Sequence, residues 1–203
     1  GQVIYDSNTK YVQSGMSIVQ IGIMVEVYRY FQGTVDQQTH QELLDMMGVE
    51  SCNPCANRLM ATMGNGSATA GAQRVTASMQ RLGLSNFRLC APFQVVEQWE
   101  DEPGLIWTSY RPGSFQSQSG SGWHFVPAAV YAPVWAAPSE VPRYDRCVKS
   151  TPAEMAKLLE MIYQCTADKG TLRKVYPTIT PQACREMIHI MASNDLRNML
   201  GAG

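Results

Sequence analysis

Residues 14–29 read SGMSIVQIGIMVEVYR, and this stretch decides the fold. Its apolar residues fall on nearly every side of a helix that we predict over residues 17–32, with Gly33 ending it. A helix that is apolar all round belongs in the middle of a domain rather than on its surface. Ser17 stands at the start of this helix, and Gln20 follows one turn later. The question is whether Ser17 only caps this helix or also has a chemical role.

The rest of the sequence also predicts mainly helix. Five further helices are indicated by apolar spacing or by a capping residue; we expect them over residues 37–47, after Ser51 or Asn53, over residues 70–82, after Thr151 and after Thr180. Thr151 and Glu154 have the spacing of a capping box, with Pro152 in the first turn. Only residues 2–6, QVIYD, read as a strand. The predicted fold class is mainly α, in one domain over residues 1–203.

One segment differs in character from the helices, and we call residues 93–149 the aromatic-rich segment. It is rich in Gly, Ser, Pro and Gln, and it holds all four tryptophans of the chain, at positions 99, 107, 123 and 135. We predict a long loop insertion here, and its aromatic content argues against plain disorder. Either the tryptophans pack on their own domain, or they form a recognition surface for a partner.

The bulk composition excludes several classes of function. With 203 residues and a formal net charge of −1, the chain reads as one soluble globular domain. The charges are scattered, so nothing marks a nucleic-acid partner. No apolar run reaches the ~18–20 residues that a transmembrane helix needs, and residues 1–13 do not read as a signal peptide.

Six cysteines, at positions 52, 55, 90, 147, 165 and 184, indicate an oxidising and therefore extracytoplasmic compartment. We predict a disulfide between Cys165 and Cys184, since each lies near the end of one of two consecutive helices. Cys52 and Cys55 are a disulfide, a pair of buried thiols or half of a zinc site. No second close pair and no nearby histidine accompanies them, so we predict neither a metal nor a cofactor.

Three segments in this order resemble the class A β-lactamases and their penicillin-recognising relatives. They are GMSIVQIGIMVEVYR at 15–29, LLDMMGVESCNPCANRLMATMG at 43–64 followed by VTASMQRLGLSNFRL at 75–89, and TPAEMAKLLEMIYQC at 151–165. The resemblance covers most of residues 11–92 and 150–200. It implies the helical lobe of an α/β (α+β) fold, in which helices pack on a five-stranded antiparallel sheet with the active site between them. Most of that sheet has no counterpart in this chain, so the domain is expected to be partial.

The resemblance also assigns roles to individual positions. Ser17 matches the nucleophile of the Ser-x-x-Lys motif, and Gln20 replaces its lysine. Ser51 and Asn53 match the second motif, Ser-Asp-Asn, with Cys52 in the place of the aspartate. The third motif, Lys-Thr/Ser-Gly, belongs to a strand after the last helix, and the chain stops at Gly203, about where that strand would begin.

The replacement of lysine by Gln20 bears directly on the chemistry. A serine hydroxyl becomes a good nucleophile only when a nearby base takes its proton, and a carboxamide cannot do this. The only histidines, His40, His124 and His189, stand at no position that the family uses for a base. Glu140 is the acidic residue nearest to the place of the family's Ω-loop glutamate, but its flanking sequence does not match.

These observations favour a non-catalytic β-lactamase-like domain that acts outside the cytoplasm as a binding or structural module. Its partner would be a protein or a glycan held by the aromatic-rich segment or the old cleft, or a second copy of the chain. The alternative is an active serine hydrolase that uses Ser17 on a β-lactam, peptide or ester, with a substitute base and a third motif outside this chain. A third idea, a zinc-stabilised helical adaptor, rests on Cys52 and Cys55 alone.

Overall fold

The computed structural model describes residues 13–14, 16–48, 51–89, 92–93, 115–119, 122–126 and 148–192. Its helical elements are a 3-10 helix Met16–Val19, α1 Gln20–Tyr30, α2 Gln37–Met47, α3 Asn53–Met63, α4 Ala68–Arg81, α5 Pro152–Cys165, α6 Gly170–Val175 and α7 Pro181–Ala192. Its strands are β1 Gln13–Ser14, β2 Arg88–Leu89, β3 Phe115–Ser119, β4 Gly122–Val126 and β5 Val148–Ser150. The mainly α fold class is confirmed. The strand predicted at residues 2–6 lies outside the described residues.

Helix α1 is the centre of the core, as its apolar sequence predicts. Residues 20–28 are all buried, and the helix packs against α2, α3, α4 and α7. Its predicted bounds, 17–32, were too wide. The first turn is a tighter 3-10 helix, and no side chain caps α1. At the other end Gly33 donates to the Tyr28 carbonyl at 2.7 Å. Gly33 has a φ of +86°, a conformation that glycine adopts without strain.

Helices α3 and α4 pack closely because glycine removes a side chain from their contact. A Cβ on Gly71 would lie 1.9 Å from the Met60 carbonyl oxygen. Helix α3 begins after Cys52, whose sulfur accepts from the Cys55 N–H at 3.1 Å, so the prediction of a Ser51 or Asn53 cap was wrong. Helix α4 begins two residues before the predicted Ala70 because Ser67 supplies its cap, accepting from the Ala70 N–H at 3.2 Å.

Helix α5 starts where the predicted capping box places it, but only half of the box forms. Thr151 Oγ1 accepts from the Glu154 N–H at 3.1 Å. The Glu154 carboxylate accepts instead from the Asn86 N–H at 2.8 Å and the Ser150 hydroxyl at 3.2 Å. This buried carboxylate therefore ties the first turn of α5 to β5 and to the turn that precedes β2.

The strands form two small antiparallel sheets. Three strands pair in the order β1-β5-β2, and Lys149 lies opposite both Ser14 and Arg88. Strands β3 and β4 pair as a hairpin inside the aromatic-rich segment, where the sequence predicted only loop. The helix α6 was also missed, since its six residues are too short for apolar spacing to show. The rest of residues 94–147 lies outside the described residues.

Two disulfides join described cysteines. The predicted bond between Cys165 and Cys184 is present, and it fastens the end of α5 to the first turn of α7. Cys52 and Cys55 are also bonded to each other. Their sulfurs are therefore not thiolates available to zinc, which contradicts the zinc-adaptor idea. Cys90 and Cys147 lie outside the described residues. No helix in the described part of the chain is long and apolar enough to cross a membrane.

Candidate functional site

Ser17 lies in the 3-10 helix that leads into α1, and it is exposed to solvent. The 3-10 helix packs beside β5. The core thus fixes the turn that carries Ser17, while its side chain stays open. Because the N-cap of α1 is Val19, Ser17 does not cap this helix, and that reading of Ser17 was wrong.

Gln20 is the first residue of α1 and, unlike Ser17, is only 2% exposed. Its Oε1 accepts a hydrogen bond of 3.0 Å from the Ser51 hydroxyl. Its Nε2 is buried and has no hydrogen-bond partner among the described residues. The fold therefore brings together the Gln20 and Ser51 positions that the resemblance singled out, although 31 residues separate them.

The backbone of the second motif is constrained where it meets α1. Ser51 has a φ of +46°, a left-handed conformation that is unfavourable for a serine. Cys52, which takes the place of the family's aspartate, is held in the disulfide with Cys55. Asn53 follows as the first residue of α3 and is half-buried. Ser51 is thus presented to Gln20 by a short and cross-linked turn.

Asn57 is a buried polar residue that the sequence reasoning did not single out. It is 1% exposed on α3, and its side-chain amide makes two hydrogen bonds of 2.8 Å to the backbone of Phe93, donating to the carbonyl and accepting from the N–H. This pair fixes the start of the aromatic-rich segment on α3. The available signal was a carboxamide one helical turn after Asn53, among apolar neighbours.

The groups considered as a substitute base are placed as follows. His40 Nδ1 lies 2.9 Å from Glu186 Oε1, where α2 meets α7. His189 is exposed on α7, as expected of a helix-face residue. His124 belongs to β4, in register with Ser117, and Glu140 lies outside the described residues. In the described part of the chain, none of the contacts of His40 and His189 involves Ser17.

One cation near the Ser17 turn was not foreseen. Lys149 is half-buried on β5, the strand that packs beside the 3-10 helix, and it lies opposite Ser14 in the β1-β5 ladder. Because its strand packs beside the turn that carries Ser17, Lys149 is the described cation to substitute first in a test for a replacement of the missing lysine.

Ser51 hydrogen-bonds to Gln20, the first residue of the central apolar helix α1, so two of the positions that the resemblance to the β-lactamases singled out are in contact. The family model described as the Beta-lactamase enzyme family matches residues 25–203, and the chain belongs to that family. The match includes Ser51 and Asn53 and begins after Ser17 and Gln20. Neither the curated proteins nor the solved structures gave a match to the chain.

Proposed function

We propose that this chain is a non-catalytic β-lactamase-like module that binds rather than cleaves. The observation that carries the proposal is the buried Gln20 amide, which accepts a hydrogen bond of 3.0 Å from Ser51 and which the resemblance aligns with the family's lysine. An amide of this kind can donate and accept hydrogen bonds, but it has no useful basicity. Loss of general-base assistance alone lowers a rate ~10²–10⁴-fold.

The free half of the Gln20 amide supports a binding role. Its Nε2 is buried without a partner among the described residues, and an unpaired buried donor is costly unless some group accepts its hydrogen bond. A carbonyl or carboxylate group of a ligand that reached Gln20 would be such an acceptor. Such a ligand would be held at the position that the resemblance assigns to a catalytic lysine.

The setting of this activity is extracytoplasmic. The two disulfides, Cys52–Cys55 and Cys165–Cys184, are of a kind that persists in oxidising compartments. We assign the partner contact to the aromatic-rich segment, whose start is fixed to α3 by Asn57. Its partner would be a protein, a glycan or a second copy of the chain, because tryptophan and tyrosine are enriched where partners anchor.

Covalent labelling with a fluorescent penicillin tests the proposal. The chain and its Ser17→Ala variant would be incubated with the probe, digested and examined by mass spectrometry for an acyl group on Ser17. We expect equal background labelling of both proteins. A stable adduct on Ser17 that disappears in Ser17→Ala would overturn the non-catalytic reading.

The alternative, an active serine hydrolase, is favoured by one observation: the exposed Ser17 lies on a turn that packs beside the strand carrying Lys149. Hydrolysis of a chromogenic cephalosporin or an activated ester separates the two functions. The hydrolase would be established by activity that Ser17→Ala and Lys149→Gln both abolish. Arg88→Gln, on the neighbouring strand, should retain that activity. Activity that survives Ser17→Ala would come from another source.

A further inference from the structure

A second candidate site lies at the other end of α1 from Ser17. It is an open pocket of about 240 Å³, lined by Arg29, Arg74, Ala77, Ser78, Arg81 and Tyr176. From Gln20 to Arg29 the axis of α1 advances about 13 Å. The pocket is therefore separate from Ser17, Gln20 and Ser51, and we call it the arginine pocket.

One face of α4 supplies four of the six lining residues. Positions 74, 77, 78 and 81 are spaced three, four and seven residues apart, so they lie along a single stripe of the helix. The two arginines at the ends of this stripe are about 10 Å apart along the axis. Ala77 and Ser78 between them are small, which leaves room for a ligand between the two long side chains.

Tyr176 forms a fixed floor for the pocket. It is 6% exposed, and its hydroxyl donates a hydrogen bond of 2.9 Å to the Ser78 carbonyl. The Arg29 and Arg81 guanidinium carbons lie 5.5 Å and 6.0 Å from the centre of its ring. Guanidinium groups over an aromatic ring are held by cation–π attraction, so the charges are positioned before any ligand arrives.

The pocket carries more positive than negative charge. Glu26 is fully buried and is engaged by the Arg29 guanidinium at two atoms, the Nε contact being 2.6 Å. Arg74 is less firmly paired with Glu26, since its Nε lies 3.5 Å from Glu26 Oε1 and its side chain is 44% exposed, while its guanidinium carbon lies 5.1 Å from the centre of the Tyr30 ring. Arg81 makes no ion pair with a carboxylate of the described residues. Three guanidinium groups against one carboxylate leave two net positive charges.

We propose that the arginine pocket binds a small soluble oxoanion, namely a phosphate group, through Arg74 and Arg81. The planar guanidinium fork matches phosphate oxygens two at a time, and these two arginines have hydrogen-bonding capacity that Glu26 does not use. The volume is below the ~300–1,000 Å³ of pockets for drug-sized ligands. A free phosphate or the terminal phosphate of a small metabolite fits it better than a large organic molecule.

Titration with inorganic phosphate at constant ionic strength tests this proposal. Binding is measured by amide chemical shifts and by calorimetry. We expect saturable shifts centred on α4 and Tyr176, and a dissociation constant that rises about tenfold or more in Arg81→Gln and in Arg74→Gln. Arg88→Gln removes the same charge from an exposed position on β2 and should change affinity less than twofold. Melting temperatures establish that each variant is folded.

Three results would overturn the proposal. One is the absence of saturable shifts up to tens of millimolar phosphate, which would leave Arg81 as a charge that complements the C-terminal end of the α4 dipole. Another is an equal loss of affinity in all three variants, which would indicate non-specific charge attraction. The last is binding to vesicles of anionic lipid without binding to inorganic phosphate or glycerol phosphate, which would assign the pocket to a membrane surface.

Discussion

The Ser51 hydroxyl donates a hydrogen bond of 3.0 Å to Gln20 Oε1, and the other end of the same amide, Nε2, is buried without a partner in the described ranges. The contact joins the turn before α3 to the first residue of α1. Half of the amide is therefore used by the fold, and half remains able to donate. This difference between the two ends of the amide can be measured by substituting Ser51 and Gln20 separately.

Ser51→Ala should lower the free energy of unfolding by about 1–2 kcal/mol, because it leaves the buried Gln20 Oε1 without its donor. Gln20→Met keeps the volume and removes both polar atoms, so we expect a change smaller than about 1 kcal/mol or a slight gain. Chemical denaturation of both variants and of the double variant gives the coupling energy. Gln73→Met, at an exposed position on α4, is the control. A large loss in Gln20→Met would show that Nε2 has a partner.

The two disulfides should differ in their effect on stability. Cys165 and Cys184 are 19 residues apart, whereas Cys52 and Cys55 are three apart. A longer closed loop restricts the unfolded chain more, which gives about 3 kcal/mol for Cys165–Cys184 and about 2 kcal/mol for Cys52–Cys55. Urea unfolding of Cys165→Ala/Cys184→Ala and Cys52→Ser/Cys55→Ala measures both values, and the serine at position 52 keeps a capping oxygen for α3. The reverse ranking would contradict the loop-length argument.

Much of the helical fold could be predicted because its signals are local. The apolar run of α1, the Thr151 cap of α5 and the proline at the start of α7 each appear within a few residues of sequence. The errors arose where the deciding contact was not local or not typical. A cysteine sulfur caps α3, and the first turn before α1 is a 3-10 helix. Neither feature follows from propensity or periodicity.

The candidate site was harder to predict than the fold. Ser17, Gln20 and Ser51 were found through the family resemblance, and the structure places the last two in contact. The role of Asn57 depends on the backbone of Phe93, 36 residues away. The arginine pocket needs α1, α4 and Tyr176 together. Spacing along one helix can align Arg74 with Arg81, but it cannot reveal what covers that face.

Gly71→Ala should be one of the most damaging single substitutions in the chain. The new methyl carbon would lie 1.9 Å from the Met60 carbonyl oxygen, so α3 and α4 would have to separate. Alanine gains about 1 kcal/mol of helix propensity over glycine, but the overpacking should cost about 3 kcal/mol or more. Thermal unfolding measures the net effect.

Gly83→Ala is the matched comparison for Gly71→Ala. Its methyl group would meet only Lys157 Nζ at 3.6 Å, while the φ of Gly83 is +86°. The backbone strain of a non-glycine residue there costs roughly 1–2 kcal/mol. If Gly71→Ala were no worse than Gly83→Ala, the close contact of α3 with α4 would be disproved.

Tyr28 should make the stability of the domain fall at high pH. Burial in the core raises the pKa of its phenol above the usual value of 10.0, and the nearby Glu186 carboxylate adds to the effect. Because the folded protein holds the neutral phenol more firmly than the unfolded chain, this contribution is complete below pH 10 and is lost as the pH rises further. The free energy of unfolding should then decline by about 1.4 kcal/mol per pH unit. The free energy of unfolding would be measured between pH 8 and 11. Above pH 10, Tyr28→Phe should remove this decline of about 1.4 kcal/mol per pH unit, whereas Tyr163→Phe should leave it unchanged, because Tyr163 is 72% exposed. Equal slopes in the two variants would mean that Tyr28 ionises as readily in the folded protein as in the unfolded chain.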